Sequence, residues 1–468
     1  MTLPQSYKNK YERLLGDEAA AFFASFTQST QKAYRVNPLK NQTQLYATPD
    51  NGQVPYGKWG HFGSVSGRSV DHTNGVVYSQ EPSAQFVGEV VQPQPGEKVL
   101  DLSAAPGGKS THLAAFMQQD GLLWTNEIFL NRAKILNENI ERMGIYNSIV
   151  SSQKPEELSA KLPQFFDKIL IDAPCSGEGM FRKDPDAISY WSESYPAECA
   201  QRQRDILAEA VKMLKPGGEL VYSTCTFAPE EDEQMIAWLL SEYPDFSVVP
   251  IEKVNGIADG RPEWADSQYV SGISDHSQTT HMTELKGTAR LWPHLLEGEG
   301  HFVAKLKLST DTVTSDANVT TIQSSSLTAQ QRDLLTAFIK DTLIDFELAE
   351  DRLILFGDHV YLAPTGAPSI KGMRILRVGL ELGSFKTKRF EPAHALALAL
   401  APHQFQQYYE MNDAQWRQFV HGDVLNVERD FKKGWVLMTM NGNGAGFGKY
   451  VNGQIKNFYP KGLRFAIK

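Results

Sequence analysis

Short apolar runs alternate with amphipathic segments through the middle of the chain. Four runs rich in Val, Leu and Ile have the length of buried strands, and they lie at residues 98–102, 122–126, 169–171 and 218–225. Helical patterns separate them, the clearest at residues 110–117 and 204–213. Strands that alternate with helices in this order predict an α/β domain in which ligands bind at the carboxyl edge of the sheet.

The regions on either side have different patterns. Residues 14–26 have the periodicity of one amphipathic helix, 32–38 resemble a strand stopped by a proline, and 48–75 form a loop rich in Gly, Pro and polar residues. Residues 309–326 are dominated by Ser, Thr, Asp and Asn, which predicts a linker. The part from residue 327 onward combines a helical pattern with strand patterns, which predicts an α+β region.

Within that last region, residues 441–448 are rich in glycine. They lie between strand patterns, so hairpin turns explain them better than a nucleotide-binding loop does.

Two of the predicted strands end in a thiol. The run at 169–171 leads into Asp172, Pro174 and Cys175, and the run at 218–225 ends in Cys225. We therefore expect an acid and two thiols at the lip of one crevice. A lone cysteine is more often a small buried hydrophobic residue, so the expectation depends on the paired pattern.

A glycine turn follows the first predicted strand. Its residues are Ser103, Ala104, Ala105, Pro106, Gly107, Gly108 and Lys109. A strand, a turn and a helix in this order place free backbone N–H groups and a positive dipole end where an anion binds. Glu127 ends the next strand roughly 20 residues beyond Gly107, a spacing that suits a ribose diol. The dinucleotide pattern Gly-x-Gly-x-x-Gly is absent, and S-adenosylmethionine fits better, with its carboxylate at the turn and its ribose on Glu127.

Composition restricts the class of protein. With 468 residues, 41% apolar and 22% charged, the chain has the composition of a soluble globular protein of about three domains. Its cysteines are far apart, which argues against paired zinc ligands and a disulfide framework and predicts a reducing cytoplasm. No signal peptide or membrane span is expected. His276, His281, His294 and His301 lack ligand spacing, so no metal is expected.

Charge is distributed unevenly. A net charge of −9 taken alone disfavours a nucleic-acid partner. From Phe431 to the end, however, the chain has no Asp or Glu, and its basic residues are Lys432, Lys433, Lys449, Lys456, Lys461, Arg464 and Lys468. Such a terminus indicates RNA contact, with a solvated face as the alternative.

Two further segments carry candidate chemistry. Residues 181–185, with Tyr190 and Trp191, form a basic aromatic loop that either binds phosphates and stacks a base or is merely solvated. Residues 230–233 are all acidic and follow a proline, which is more typical of a helix start than of a catalytic cluster.

The motifs resemble those of the Nol/Nop/Sun family of RNA cytosine-5 methyltransferases. The resemblance rests on Pro-Cys after an acid, on Thr-Cys at a second strand end, on the turn Ala-Ala-Pro-Gly-Gly-Lys and on residues 35–37, and it covers most of the chain. Residues 453–464 resemble the C-terminal extension of bacterial F-type small-subunit ribosomal RNA methyltransferases. This implies a Rossmann-like class I S-adenosylmethionine-dependent methyltransferase domain with an N-terminal extension and a C-terminal α+β PUA-like RNA-binding region.

The resemblance also implies roles for residues. Cys225 is expected to add to C6 of cytosine, Asp172 to hydrogen-bond the base, Lys109 to act on a thiol or hold substrate, and Cys175 to assist release. Arg132 and Asp172 are expected on the cofactor side, with Glu127 and residues 103–109. Near the adenine, where the family often has an acid, this chain has Gln153, whose amide is the candidate for that contact.

The expected activity is methylation of C5 of cytosine in RNA, with 16S ribosomal RNA or the small subunit as substrate. The expected domains are an N-terminal RNA-binding extension (1–90), the catalytic domain (91–308), the linker (309–326) and a C-terminal RNA-binding region (327–468). A cytoplasmic monomer without metal or membrane contact is expected. Three alternatives stay open: a methyltransferase of protein or small molecules, a transfer RNA methyltransferase, and a non-catalytic ribosome-assembly protein.

Overall fold

The computed structural model describes residues 3–265, 283–312 and 319–466. The helices are α1 (Gln5–Leu15), α2 (Ala19–Ser25), α3 (Val70–Thr73), α4 (Pro82–Val91), α5 (Gly108–Met117), α6 (Leu130–Arg142), α7 (Pro155–Ser159), α8 (Tyr195–Met213), α9 (Glu233–Glu242), α10 (Ala329–Thr342), α11 (His394–Ala399) and α12 (Asp413–His421). Among the described residues, no helix has both the length and the apolar character needed to cross a membrane.

The strands of the described residues form four sheets. They are β1 (Ala33–Val36), β2 (Gly60–Phe62), β3 (Val77–Ser79), β4 (Lys98–Asp101), β5 (Leu122–Asn126), β6 (Ser148–Ser151), β7 (Phe166–Asp172), β8 (Leu214–Thr224), β9 (Phe246–Val248), β10 (Ala258–Asp259), β11 (Ala289–Leu291), β12 (His301–Leu308), β13 (Leu353–Phe356), β14 (His359–Leu362), β15 (Ile375–Val378), β16 (Leu380–Lys386), β17 (Arg389–Pro392), β18 (Tyr408–Glu410), β19 (Leu425–Asn426), β20 (Gly434–Met440), β21 (Asn443–Val451) and β22 (Gln454–Asn457).

The largest sheet has the order β10-β11-β12-β8-β7-β4-β5-β6-β15, and β9 pairs with β12. Its centre, from β6 through β5, β4 and β7 to β8, is parallel. Consecutive residues in β7 enter different cores, since Ile169 and Ile171 pack in one apolar cluster and Leu170 in another. Burial on both faces explains why these strands are continuous apolar runs, and the predicted α/β domain is confirmed.

The N-terminal region packs against the catalytic sheet through two separate parts. Helices α1 and α2 pack in an aromatic cluster with Phe181 and Phe227. The three-stranded sheet β2-β1-β3 carries Arg35, which is buried and donates to the carbonyl of Gly108 at 2.7 Å and to Thr111 at 2.8 Å. The family-like segment 35–37 therefore contacts the start of α5.

Two N-terminal predictions were wrong in detail. The predicted single helix at 14–26 is divided at Gly16, which has φ of 54° and begins a short 3₁₀ turn before α2. The predicted loop at 48–75 contains β2 and α3. Short elements of this kind are stabilised by tertiary packing, which local sequence patterns do not reveal.

The C-terminal region contains a four-stranded sheet, β13-β14-β16-β17, and a five-stranded sheet, β18-β20-β21-β22-β19. The glycine-rich segment does contain a hairpin turn, at Asn441 and Gly442 between the antiparallel strands β20 and β21, but residues 443–448 belong to β21 itself. Strand β15 belongs to this region in sequence, but it pairs antiparallel with β6 at the edge of the catalytic sheet. The sheet therefore extends across the domain boundary that the sequence predicted.

The predicted linker is partly structured. Thr321 forms a β-bridge with Pro368, and the backbone N–H of Ile322 donates to Ala367 at 3.0 Å. The reason is that Val319 and Ile322 pack against the main core. A linker prediction based on average polarity does not register two apolar side chains of this kind. Residues 313–318 of this segment lie outside the described ranges.

Candidate active site

Cys175 and Cys225 lie at the carboxyl ends of two neighbouring strands. β7 ends at Asp172 and β8 ends one residue before Cys225, and the strands are parallel, with Asp172 opposite Ser223. The two Sγ atoms are 3.4 Å apart and share a hydrogen bond. The structure therefore brings together the two thiols that the sequence placed at separate strand ends.

The backbone on both sides of Cys175 is held by buried polar side chains. Gln203 on α8 donates to the carbonyl of Pro174 at 3.1 Å and to Glu231 at 2.7 Å. Glu231 accepts from the backbone N–H of Ser176 at 3.0 Å and also from the Ser176 hydroxyl. Burial raises the pKa of Glu231 to about 8, although the hydrogen bonds from Ser176 oppose this shift. Two residues that do not touch the thiol therefore position its loop.

Asp172 and Lys109 form an ion pair beside the thiols. Lys109 Nζ donates to Asp172 at 2.7 Å, and the Ser223 hydroxyl donates to the other carboxylate oxygen at 3.0 Å. Burial lowers the pKa of Lys109, but the charge and hydrogen bond of Asp172 outweigh burial, and with a contribution from Cys225 they raise this pKa overall. A cation that stays charged beside a thiol favours the thiolate.

The two thiols have different environments. The hydrogen bond with Cys225, followed by burial, raises the pKa of Cys175 well above its ordinary value. Either thiol can donate the hydrogen bond that joins the two sulfurs. When Cys175 is the donor, this hydrogen bond and the nearby Lys109 both stabilise negative charge on the Cys225 sulfur.

The glycine turn joins β4 to α5. Gly107 has φ of 112°, and a Cβ at this position would lie 3.2 Å from a methyl group of Leu136. The backbone conformation therefore favours glycine, whereas the methyl group of Leu136 would have to move only slightly to admit a Cβ. The helix that follows has 10 residues, so its first turn supplies unpaired N–H groups beside the turn.

Two side chains of α6 hold the turn. Arg132 donates to the carbonyl of Ala105 at 2.8 Å, and Asn139, two helical turns later, donates to the carbonyl of Pro106 at 2.9 Å. Arg132 was predicted on the cofactor side, and the structure places it in contact with the turn itself. Asn139 was missed, because nothing in its local sequence distinguishes it from a solvated helix residue.

Two acids lie at the strand ends next to this turn. Glu127 follows β5, is almost fully buried, pairs with Arg132 at 3.0 Å and accepts from the backbone N–H of Phe129 at 3.0 Å. Asp101 ends β4 and accepts from Ser110 at 2.6 Å, and burial raises its pKa to about 7. Its other oxygen is buried and has no hydrogen-bond partner among the described residues.

Sequence reasoning missed Asp101, although an acid that ends a strand directly before a glycine turn was the available signal. The site therefore offers three groups: the free oxygen of Asp101, the N-terminus of α5 and the carboxylate of Glu127. Together they suit a ligand that has an amino group, a carboxylate and a ribose.

Gln153 does not present a free amide. Its side chain is 8% exposed. In the orientation that satisfies its neighbours, its nitrogen donates to Glu157 at 2.5 Å and its oxygen accepts from the backbone N–H of Arg374. The expected adenine contact through this amide is therefore not supported, because the amide is used to hold adjacent parts of the protein together.

Most of the basic aromatic loop at residues 181–191 is held by contacts within the protein. Arg182 is buried, pairs with Glu299 at 2.7 Å and donates to the carbonyl of Gly298 at 2.7 Å. Trp191 is buried, and its indole N–H donates to Glu178 at 2.9 Å. The phosphate-binding interpretation of Arg182 is therefore wrong, since the guanidinium already has a buried partner.

In the same loop, Lys183 and Tyr190 remain exposed.

Glu178, from the loop that carries Cys175, also accepts from the hydroxyl of Tyr11 on α1. The N-terminal helices therefore contact the thiol loop directly.

The acidic segment 230–233 is only partly a helix start. Glu233 begins α9, but the carboxylates of Glu231, Asp232 and Glu233 are all buried and have fixed partners. Arg290 pairs with Glu233 and lies 3.1 Å from Asp232, and Thr224 donates to Asp232 at 2.6 Å. These acids stabilise the region behind the thiols instead of lying on a solvated helix end.

Within residues 3–265, 283–312 and 319–466, no group of three or more His, Cys, Asp or Glu side chains is arranged to hold a metal ion. Of the four histidines considered above, His276 and His281 lie outside the described residues.

Comparison with known proteins decides the family. The family model described as 16S rRNA methyltransferase RsmB/F matches residues 89–307. Over 98% of this chain and 97% of the relative, the sequence is 31% identical to ribosomal RNA small subunit methyltransferase F of Vibrio vulnificus. The chain belongs to the RsmB/F family of 16S rRNA methyltransferases. The methyltransferase F of Shewanella loihica is 30% identical over 98% of this chain and 95% of its own length.

Three further family models match the rest of the chain. They are the N-terminal domain of 16S rRNA methyltransferase RsmF (residues 3–82), the first C-terminal domain of RsmF rRNA methyltransferase (337–400) and the methyltransferase RsmF PUA domain (406–465). The predicted Rossmann-like methyltransferase domain with an N-terminal domain and a C-terminal PUA domain is therefore confirmed.

Two solved structures from Pyrococcus horikoshii are similar in fold to about two thirds of the RsmB/F chain. A methyltransferase homolog protein has 28% sequence identity and a TM-score of 0.53, over 65% of this chain and 95% of its own. NSun6 with SFG has 19% identity and a TM-score of 0.54, over 66% of this chain and 99% of its own.

Proposed function

We propose that the protein transfers the methyl group of S-adenosylmethionine to C5 of a cytosine in 16S ribosomal RNA, through a covalent bond between Cys225 and C6. The observation that carries this proposal is the pair of thiols 3.4 Å apart, with the Lys109–Asp172 ion pair beside them. Membership of the 16S rRNA methyltransferase family supports the substrate, and the PUA domain supports RNA binding.

The cofactor site is proposed at the glycine turn. Residues 103–109 and the start of α5 would bind the carboxylate of S-adenosylmethionine, Asp101 would accept from its amino group, and Glu127 would accept from the ribose hydroxyls. Arg132 and Asn139 would keep the turn in shape through its carbonyls. When bound, S-adenosylmethionine supplies an electrophilic methyl group. The solved NSun6 structure with SFG, an analogue of S-adenosylmethionine, supports the same use of the fold here.

Cys225 is the proposed nucleophile. C5 of cytosine is a poor nucleophile, and addition of a thiolate to C6 moves an electron pair toward C5, which can then take the methyl group. Asp172 would hydrogen-bond the N3/N4 edge of the base, and Lys109 would balance the charge of Asp172 and favour the thiolate. The cytosine must be unstacked, or already unpaired, to reach these groups.

Cys175 is proposed to act at release. After methylation, loss of the C5 proton to water provides the electron pair of the C5=C6 double bond, and the C6–S electron pair returns to Sγ of Cys225. The thiol of Cys175, whose sulfur lies 3.4 Å from that sulfur, would donate a hydrogen bond to it and stabilise it as it leaves. Its raised pKa supports this role, because the thiol keeps the proton that it donates.

The experiment is a covalent trap. Cys175→Ser should allow attack and methylation but slow release, leaving protein bound to RNA in a complex that survives denaturant. Because serine is close in size to cysteine, packing should change little. The trapped band should vanish in the double variant with Cys225→Ala, while the buried Cys199→Ser serves as the matched control and should trap nothing.

Several outcomes would contradict the proposal. A trapped complex that needs Cys175 but not Cys225 would reverse the two roles. Absence of a trapped complex in every variant, together with no transfer of labelled methyl to RNA, would favour a non-catalytic RNA-binding protein. Transfer to transfer RNA but not to 16S ribosomal RNA would change the substrate.

A further inference from the structure

One face of the five-stranded sheet carries an aligned row of aromatic and basic side chains. In the register of β20 and β21, Trp435 lies opposite Lys449, and in the register of β21 and β22, Lys449 lies opposite Lys456. Directly opposite residues on antiparallel strands project from the same face of a sheet. Phe458 follows Lys456 by two residues and belongs to the same row. We call these four residues the Trp–Lys face.

The members of the Trp–Lys face contact each other. Lys449 Nζ lies 5.1 Å from the ring centroid of Trp435, within cation–π distance. The rings of Phe458 and Trp435 are 4.6 Å apart and nearly perpendicular, at 77°. Phe458 is 39% exposed, and Lys456 is also exposed. The aromatic rings are therefore fixed by their neighbours while part of their surface stays open to solvent.

Packing accounts for much of this face, because Trp435 is partly buried against the core beneath the sheet, but it does not account for the exposed ring of Phe458. Toward the middle of the sheet, Leu437 and Phe447 are buried in the core that also includes residues of α10 and α11. At the outer end the rings of Trp435 and Phe458 lie beside two lysines. An exposed phenylalanine beside two cations adds little to folding, and aromatic rings with adjacent cations are the pairing that unpaired RNA requires.

The charge of the segment that carries this face also favours RNA as the partner. Residues 431–466 contain no Asp or Glu, although the whole chain has a net charge of −9. Asp430, just before this segment, accepts a hydrogen bond from Tyr450. Tyr450 follows Lys449 in β21, so its side chain projects from the opposite face of the sheet, and Asp430 is bound on that face. Asp341 on α10 lies 3.9 Å from Lys432, which is not part of the row. Neither carboxylate is paired with Lys449 or Lys456.

We propose that the Trp–Lys face binds an unpaired segment of the RNA substrate, with a base stacked on Phe458, which Trp435 supports, and the flanking phosphates on Lys449 and Lys456. The inference rests on the proposed function only in taking RNA as the substrate. A duplex keeps its bases stacked on each other and does not offer a base to these rings, so the face selects single-stranded RNA.

The test measures RNA affinity without turnover, using the full chain, a short unstructured oligoribonucleotide and the same sequence as a duplex. Phe458→Leu keeps an apolar side chain but loses the stacking ring, and it should weaken single-strand binding about 5-fold or more while leaving the duplex unaffected. The Lys449→Gln, Lys456→Gln double variant should lower the salt slope of single-strand binding by about 1.4, since each phosphate contact on a single strand contributes about 0.7.

The matched control is Lys388→Gln, an exposed lysine on the turn between β16 and β17, which should leave both affinities unchanged. Thermal melting of each variant checks that the fold is intact. Equal losses for Lys388→Gln and the double variant would show a general charge effect and overturn the proposal. An unchanged single-strand affinity in Phe458→Leu would overturn it as well.

The same variants separate this inference from the proposed chemistry. If Phe458→Leu binds naked RNA normally but no longer binds assembled small subunits, the face binds a protein and the proposal is wrong. Because the assay needs no methyl transfer, a wrong reaction would leave these results unchanged, and it would be detected separately by the loss of the Cys175→Ser trap.

Discussion

Glu231→Gln tests whether a buried carboxyl group positions the Cys175 loop in its protonated form. Glu231 is fully buried, accepts from Ser176 and Gln203, and has a pKa that burial raises to about 8. In the unfolded chain the pKa of a glutamate is about 4.3. Between these values the folded protein holds a proton that the unfolded chain has released, so its stability falls as the pH rises.

The magnitude follows from the size of the shift. The contribution of Glu231 is fully present below about pH 4.3 and is lost as the pH rises through about 8. Each pH unit between these limits removes about 1.4 kcal/mol of stability, so from pH 6 to pH 8 the loss is about 2 kcal/mol once partial titration near pH 8 is included. In a catalytic domain of this size that corresponds to roughly 4 to 8 °C in the unfolding midpoint.

Glutamine has the size of the protonated acid and does not titrate, so the variant should lose this part of the pH dependence. Thermal unfolding followed by circular dichroism at pH 6 and pH 8 measures the difference between wild type and Glu231→Gln. The control is Glu230→Gln, which removes the adjacent, partly exposed acid that pairs with Lys10. It should not reproduce the effect of Glu231→Gln. If wild type and Glu231→Gln lose stability equally from pH 6 to pH 8, the assignment of a buried proton to Glu231 is refuted.

Two further predictions concern the cofactor and the corrected loop. Glu127→Ala should weaken S-adenosylmethionine binding by about 1 to 3 kcal/mol in calorimetry, which is the usual loss for a charged hydrogen bond. The control Glu138→Ala, at an exposed position on α6, should leave the affinity unchanged. If the Glu127→Ala variant binds S-adenosylmethionine as tightly as the wild type does, Glu127 does not contact the ribose. Arg182→Ala should destabilise the protein by about 3 to 5 kcal/mol in urea unfolding, because Glu299 would be left buried without its partner, while the exposed neighbour Lys183→Ala should not. A fully stable Arg182→Ala variant with reduced RNA affinity would restore the phosphate-binding interpretation.

The elements that the sequence predicted well are those with strong local patterns. The runs at 98–102, 122–126 and 169–171 are strands because alternate residues enter two apolar cores, and that burial leaves a continuous apolar run in the sequence. The turn at Gly107 was recognisable because its positive φ favours glycine, which is visible in the sequence. The hairpin at Asn441 was recognisable for a similar reason.

The predictions that failed depended on contacts between distant residues. Arg182 has the sequence appearance of a surface cation, but Glu299, 117 residues away, makes it a buried ion pair. The amide of Gln153 was a candidate for the adenine contact, but in the orientation that satisfies its neighbours it bonds with Glu157, nearby in sequence, and with Arg374, far along the chain. Polarity in the sequence does not tell whether a polar group faces water or a buried partner, and the difference decides whether it can bind a ligand.

For the active site as well, some features were determined by the sequence and others only by the tertiary structure. The sequence by itself determined the two thiols, the acid, the glycine turn and the strand ends that carry them, because each depends on residue type and local backbone. Only the tertiary structure decided that the parallel pairing of β7 and β8 places Cys175 beside Cys225, that Gln203 and Glu231 hold the loop, and that the hydrogen bond with Cys225, followed by burial, raises the pKa of Cys175. Distance, hydrogen bonding and desolvation act between residues that are far apart along the chain, so no local pattern in the sequence contains them.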